Sequence, residues 1–178
     1  ELIAFAQSDV RGRIIRRWIL GHLLGSSMYI PRSCRWTLTN LLVREYSKLF
    51  GGAKLSALKP PWVLPNESGG QAPAPVVALC CTNLSMGTPC WFGAQGFTWQ
   101  DQQRRTRTIE APNFPLAFAV AASSAFPPVF PPLSLSAKEL VCSQTAFPWR
   151  LLLSDGGIYD NLGVERLAAD DKAEALEL

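Results

Sequence analysis

The sequence contains a single histidine, His22, in 178 residues. A histidine-rich metal site is therefore excluded, and any Ser-His-Asp triad would rest wholly on that one side chain. His22 sits in the apolar stretch Trp18-Ile19-Leu20-Gly21-His22-Leu23-Leu24, where a helix would use it for packing. Cysteine is sparse and unpatterned. Cys34, Cys80, Cys81, Cys90 and Cys142 are odd in number and lack Cys-x-x-Cys spacing, which argues against zinc and against the disulfide framework of a secreted domain. Charged residues make up only 17% and hydrophobic ones 48%, a balance that excludes a disordered chain. Unbroken apolar runs are also missing. The longest apolar region, 115–133, is interrupted by Pro127, Pro128, Pro131 and Pro132 and cannot run as a spanning helix. No signal peptide is visible. A cytoplasmic or peripheral membrane location is the expectation.

The length suits one domain with a sizeable core. Fourteen prolines and thirteen glycines imply many turns. Net charge is a modest +3 but unevenly spread: residues 1–60 hold ten Lys/Arg against three Asp/Glu, and residues 151–178 hold two against seven. A basic solvated face and an acidic C-terminal helix account for this; a basic face meeting anionic lipid is the sharper alternative.

Residues 1–24 read as an amphipathic helix, with Ile3, Val10, Ile14 and Trp18 near helical spacing and Arg11, Arg13, Arg16 and Arg17 between them. Residues 36–50 make a second helix, stopped by Gly51-Gly52. Residues 59–75 are a Pro/Gly-rich loop. Residues 75–81 read as a buried strand with Cys80 and Cys81 facing opposite sides, and 85–89 as a turn. Residues 91–99 read as a strand broken by glycines, and 100–107 as an exposed loop whose arginines are solvated or bind phosphate. Pro115 to Ser124 is a short, buried helix of small residues. Residues 149–153 are a strand, and 163–178 a helix.

The chemistry-bearing stretch is Ser154-Asp155-Gly156-Gly157-Ile158-Tyr159-Asp160-Asn161-Leu162-Gly163, directly after Leu151-Leu152-Leu153. A buried strand ending in a carboxylate and two glycines holds an acid at a strand's C-terminal edge, where α/β proteins bind ligands. Such an acid, partly desolvated and within reach of a hydroxyl, can act as a base. Gly156 and Gly157 would serve by taking φ > 0. The same residues equally suit an acid that caps its own turn. Asp160 and Asn161 read as loop and helix-cap residues.

Two segments in this order, Ala119-Val120-Ala121-Ala122-Ser123-Ser124-Ala125-Phe126-Pro127-Pro128-Val129-Phe130-Pro131-Pro132 and Leu153-Ser154-Asp155-Gly156-Gly157-Ile158-Tyr159-Asp160-Asn161-Leu162-Gly163, resemble the patatin-like phospholipases, particularly bacterial-type members. Val76 to Gly87 is similar to that family's Ala-Thr-Asp-Leu segment, with Asn83 in place of the usual Asp. The resemblance covers residues 76–165 well and 1–75 only in general layout. It implies an α/β fold, a partial three-layer α/β/α sandwich, and hydrolysis of lipid acyl esters by a Ser–Asp dyad. The acid maps to Asp155; Ser123 and Ser124 are structural. No metal or organic cofactor is implied, and nothing points to nucleic acid.

The departure is the nucleophile. No Gly-x-Ser-x-Gly occurs, and Gly25-Ser26-Ser27-Met28-Tyr29 lacks the second glycine. The expectation is a single, truncated domain that begins downstream of the serine elbow. Loss of a hydrolase nucleophile costs on the order of 10⁶ in kcat, so the chain alone is expected to be inactive. The alternative is a non-catalytic patatin-like binding or scaffold protein. A third reading is a peripheral membrane module using residues 11–17.

Overall fold

The computed structural model describes residues 12–16, 19–20, 37–59, 76–127, 129–140 and 150–164. Its first complete helix is set by local signals. Thr37 is extended, and its Oγ1 accepts the Asn40 amide hydrogen at 3.2 Å, satisfying a donor that every helix start leaves open. Helix α1 then runs Leu38–Leu49. It ends before Gly51 and Gly52, whose φ values of +56° and +81° are left-handed and cheap only for glycine. Helix α2, Leu116–Ser123, starts behind Pro115 and buries Leu116, Ala117, Ala119, Ala121 and Ala122. It is apolar all round because it lies between α1 and the sheet.

The strands are β1 (Leu79–Asn83), β2 (Thr88–Gly93), β3 (Gly96–Gln100), β4 (Thr106–Glu110), β5 (Leu133–Leu135) and β6 (Leu151–Asp155). They form one sheet in the order β4-β3-β2-β1-β6-β5, with every neighbouring pair antiparallel. Helices on this sheet give the expected α/β fold. β6 lies between β1 and β5, so the end that carries Asp155 is interior to the sheet rather than at its rim.

Several boundaries differ from the sequence reading. β1 starts at Leu79 and includes Thr82 and Asn83. Thr88 and Pro89 belong to β2, so the turn is shorter than 85–89. The single broken strand over 91–99 is a hairpin, because Gly93 and Gly96 face each other at its turn. The polar stretch 100–107 passes into β4. That strand lies at the sheet's edge, and Ile109 is its one buried side chain.

One face of the sheet carries the core. Cys81, Cys90, Phe92, Phe97, Trp99, Ile109, Leu135, Leu151 and Leu153 join Leu55, Phe114, Leu116, Ala119 and Ala122 in one cluster. A second cluster joins α1 to α2 through Leu41, Leu42, Ala121, Ala125, Phe130 and Leu133, with Ile14 inserted from the helical residues 12–16. Around that insertion Arg13, Ile15, Arg16, Ile19 and Leu20 are exposed, as a helix packed on the core by one stripe requires. The remainder of the 1–24 helix, residues 60–75 of the loop and residues 165–178 of the last helix lie outside the described residues. So do His22, Cys34, Cys142 and the Gly25–Tyr29 segment. No helix among the described residues is long and apolar enough to cross a membrane.

The β3–β4 loop organises its own arginines. Asp101 Oδ1 accepts the amide hydrogens of Arg105 at 2.9 Å and Gln103 at 3.0 Å, and Oδ2 accepts from Arg107 Nε at 3.3 Å. The Arg105 amide first, with Arg107 and Gln103 adding, holds the Asp101 carboxyl below its ordinary 3.8. A depressed acid contributes stability above its unfolded pKa and loses it as pH falls through the folded one. Asp101→Asn should therefore be less stable than wild type at pH 7, and the gap should narrow on acidification below 3.8. Urea midpoints at pH 7 and pH 3 check this; a gap that stays constant removes the Asp101 charge as its cause.

Candidate active site

β6 enters the site with Leu151, Leu153 and Ser154 fully buried and Asp155 half-buried at its end. Three contacts fix the Asp155 backbone. Its amide donates to the Ala125 carbonyl at 3.2 Å, the neighbouring Ser154 hydroxyl donates to that same carbonyl at 2.7 Å, and Thr82 Oγ1 donates to the Asp155 carbonyl at 2.8 Å. Ala125 is the exit of α2, which explains why the Ala-Ser-Ser-Ala-Phe-Pro segment and the Asp-Gly-Gly segment occur together: one holds the other.

The β1–β2 turn ties β6 from the opposite end. Leu84 donates to the Leu152 carbonyl at 2.8 Å, Leu152 donates to Ser85 Oγ at 2.9 Å, and Ser85 donates to Asn83 Oδ1 at 3.1 Å. Asn83 is fully buried, and its Nδ2 has no hydrogen-bond partner among the described residues. Only its oxygen is needed for the turn, a role Asp fills as well.

Asp155 then begins a 3-10 turn, Gly156–Ile158, and its Oδ1 accepts the Gly157 amide hydrogen at 2.8 Å. The turn-capping role open from the sequence is thus realised on one carboxylate oxygen. The two glycines serve by lacking a side chain rather than by their φ angles, neither of which is positive. A Cβ on Gly156 would lie 2.7 Å from the Cys80 carbonyl oxygen; one on Gly157 would lie 2.9 Å from Asn161 Oδ1 and 3.0 Å from Asp155 Oδ1. The turn is pressed against β1 on the face opposite the core, which is why β1 is covered on both faces within an antiparallel sheet.

Asp160 Oδ1 accepts from Leu162 at 3.2 Å, the loop role expected for it. Ser123 Oγ donates to the Cys80 carbonyl at 2.7 Å and Ser124 Oγ to the Val120 carbonyl at 2.7 Å, so both serines bind the α2 region to its surroundings. A small hollow beside the turn is lined by three cysteines, Pro89, Trp91, Gly156, Tyr159 and Asp160, with no serine among them. Ala125, Thr82 and Ser85 are the supports that sequence reading missed. Their contacts cross 30, 73 and 67 residues, and no local pattern announces them.

The structure thus places Asp155 at a strand end, fixed by the exit of a small-residue helix. The family model for patatin-like phospholipases matches residues 11–168. The chain belongs to that family. Among the described residues the match takes in α1, α2, the strands β1 to β6 and the Asp155 turn. Among curated proteins and among solved structures, none matches. Patatin-like proteins are, as a family, lipid acyl hydrolases.

Proposed function

We propose that this patatin-like chain carries the acid half of a Ser–Asp acyl-hydrolase site, with Asp155 as the base and a lipid acyl ester as the substrate. The observation that carries the reading is the fixation of Asp155 by Thr82 and Ala125, ahead of Gly156, where a Cβ would strike the Cys80 backbone. The turn takes one hydrogen bond on Oδ1, and a carboxylate has a second oxygen with which to accept a serine proton. In such a dyad the acid takes the proton as the serine oxygen attacks the ester carbonyl, then returns it to the leaving alcohol. The 178 residues contain no Gly-x-Ser-x-Gly, so they perform neither step unaided.

The test has two arms. The chain by itself should turn over no p-nitrophenyl ester and take no fluorophosphonate label at a serine. Asp155-dependent hydrolysis by it would show that the nucleophile lies within these residues after all. Joined behind a strand–elbow–helix segment from an active family member, it should gain turnover that Asp155→Asn removes. Turnover that survives Asp155→Asn would sink the assignment of the base. The missing elbow favours a second reading, a patatin-like binding protein; lipid binding without turnover by the joined protein would support it.

A further inference from the structure

Three residues stand abreast across the centre of the sheet: Cys90 on β2, Cys81 on β1 and Asp155 on β6. Cys81 and Cys90 are direct antiparallel partners, so their side chains share a face, and they are 2% and 1% exposed. Directly opposed residues of antiparallel strands have Cα atoms about 4.5 or about 5.5 Å apart. A disulfide accepts Cα separations of about 4.4–6.8 Å. Either class of pair therefore meets the Cα separation that a disulfide needs. The Cys90 thiol donates to the Cys81 carbonyl at 3.5 Å, which brings its sulfur over β1. Both thiols are free.

We propose that Cys81 and Cys90 form an oxidisable dithiol beside Asp155, a modification site that a hydroperoxide converts to a cross-strand disulfide. One thiol attacks the terminal peroxide oxygen; the O–O bond breaks, giving a sulfenic acid and, from hydrogen peroxide, water. The second thiol displaces hydroxide from that sulfur, its proton leaving in a second water. Two electrons pass from the two sulfurs to the peroxide, and a dithiol reductant reverses the bond. Both residues also border the hollow beside the Gly156 turn. Burial first, then Cys90 and Asp155, push the Cys81 thiol well above its ordinary value, so attack at neutral pH is slow and selects for a sustained oxidant. Cys80 is not the partner: it pairs in register with Trp91, on the opposite face of β1.

The experiment is to treat the folded chain with hydrogen peroxide, alkylate the remaining thiols in denaturant and map the peptides. A Cys81–Cys90 cross-link should appear with loss of two hydrogens and vanish on dithiothreitol treatment. It should be absent from Cys81→Ser and Cys90→Ser and retained in Cys80→Ser. Recovery of Cys81 and Cys90 fully alkylated while other cysteines are oxidised would overturn the proposal, as would a bond from either one to Cys80. The wild-type map decides even where a serine variant does not fold. Because it measures sulfur chemistry alone, its outcome is independent of whether Asp155 acts as a base.

Discussion

Phe92→Ala is expected to destabilise the fold by about 4 kcal/mol, because a deleted core phenylalanine loses both its transfer energy and the packing around the cavity it leaves. Phe92 is fully buried on β2. Its ring centroid lies 4.7 Å from Phe97, its partner across the β2–β3 hairpin, and 5.6 Å from Phe114 in a near-parallel stack. Phe118 of α2 meets it edge-on at 6.4 Å, and Phe114 meets Phe118 at 5.2 Å. One ring thus joins the hairpin, the β4–α2 connection and the helix whose exit holds Asp155. The neighbours cannot collapse into the gap, since Phe97 is fixed by strand pairing and Phe114 by its carbonyl's bond to the Leu55 amide at 3.0 Å. A loss of that size lowers Tm by roughly 10 °C in a domain of this length. Phe92→Leu keeps most of the volume and should cost about 1 kcal/mol. Scanning calorimetry separates the two variants; equal Tm values would mean that the aromatic cluster does not tie α2 to the sheet.

What the sequence made legible follows from how much of each element's signal is local. α1 announces itself through the Leu41-Leu42 stripe and the Gly51-Gly52 stop, both within or beside its own length; its Thr37 cap emerged only in the structure. α2 does so through Pro115 and a run of alanines, and β6 through three leucines ending in Asp155. β4 was unreadable because an edge strand needs only one buried side chain, and Ile109 alone among threonines, an arginine and a glutamate gives no alternation to count. β5 consists of Leu133, Ser134 and Leu135, too short for periodicity and preceded by prolines. Gly93 and Gly96 were visible but ambiguous, since a glycine marks a broken strand and a hairpin turn alike. At the site, Asp155 was legible as a strand end. Its supports were not, because a carbonyl at Ala125 and a hydroxyl at Thr82 become partners only after the chain has folded.

The glycines after Asp155 make the same point quantitatively. Gly156→Ala is expected to cost about 3 kcal/mol, the upper range for overpacking, whereas Gly157→Ala should cost about 1 kcal/mol, in the lower part of that range. Conformational strain cannot produce this difference, since neither residue has positive φ. It comes from what the new methyl would strike. At Gly156 the obstacles are backbone atoms of Cys80, oxygen at 2.7 Å and carbon at 2.8 Å, and β1 holds them in the middle of the sheet between β2 and β6. At Gly157 the obstacles are the ends of the Asn161 and Asp155 side chains at 2.9 and 3.0 Å, which can rotate away. The cheaper substitution is therefore the one that moves the carboxylate, and the costlier one moves the turn. Urea unfolding ranks the two variants, and the reverse order would mean that the turn is not seated on Cys80. In that case the close approach of β1 would not be what sets the direction in which the chain leaves Asp155.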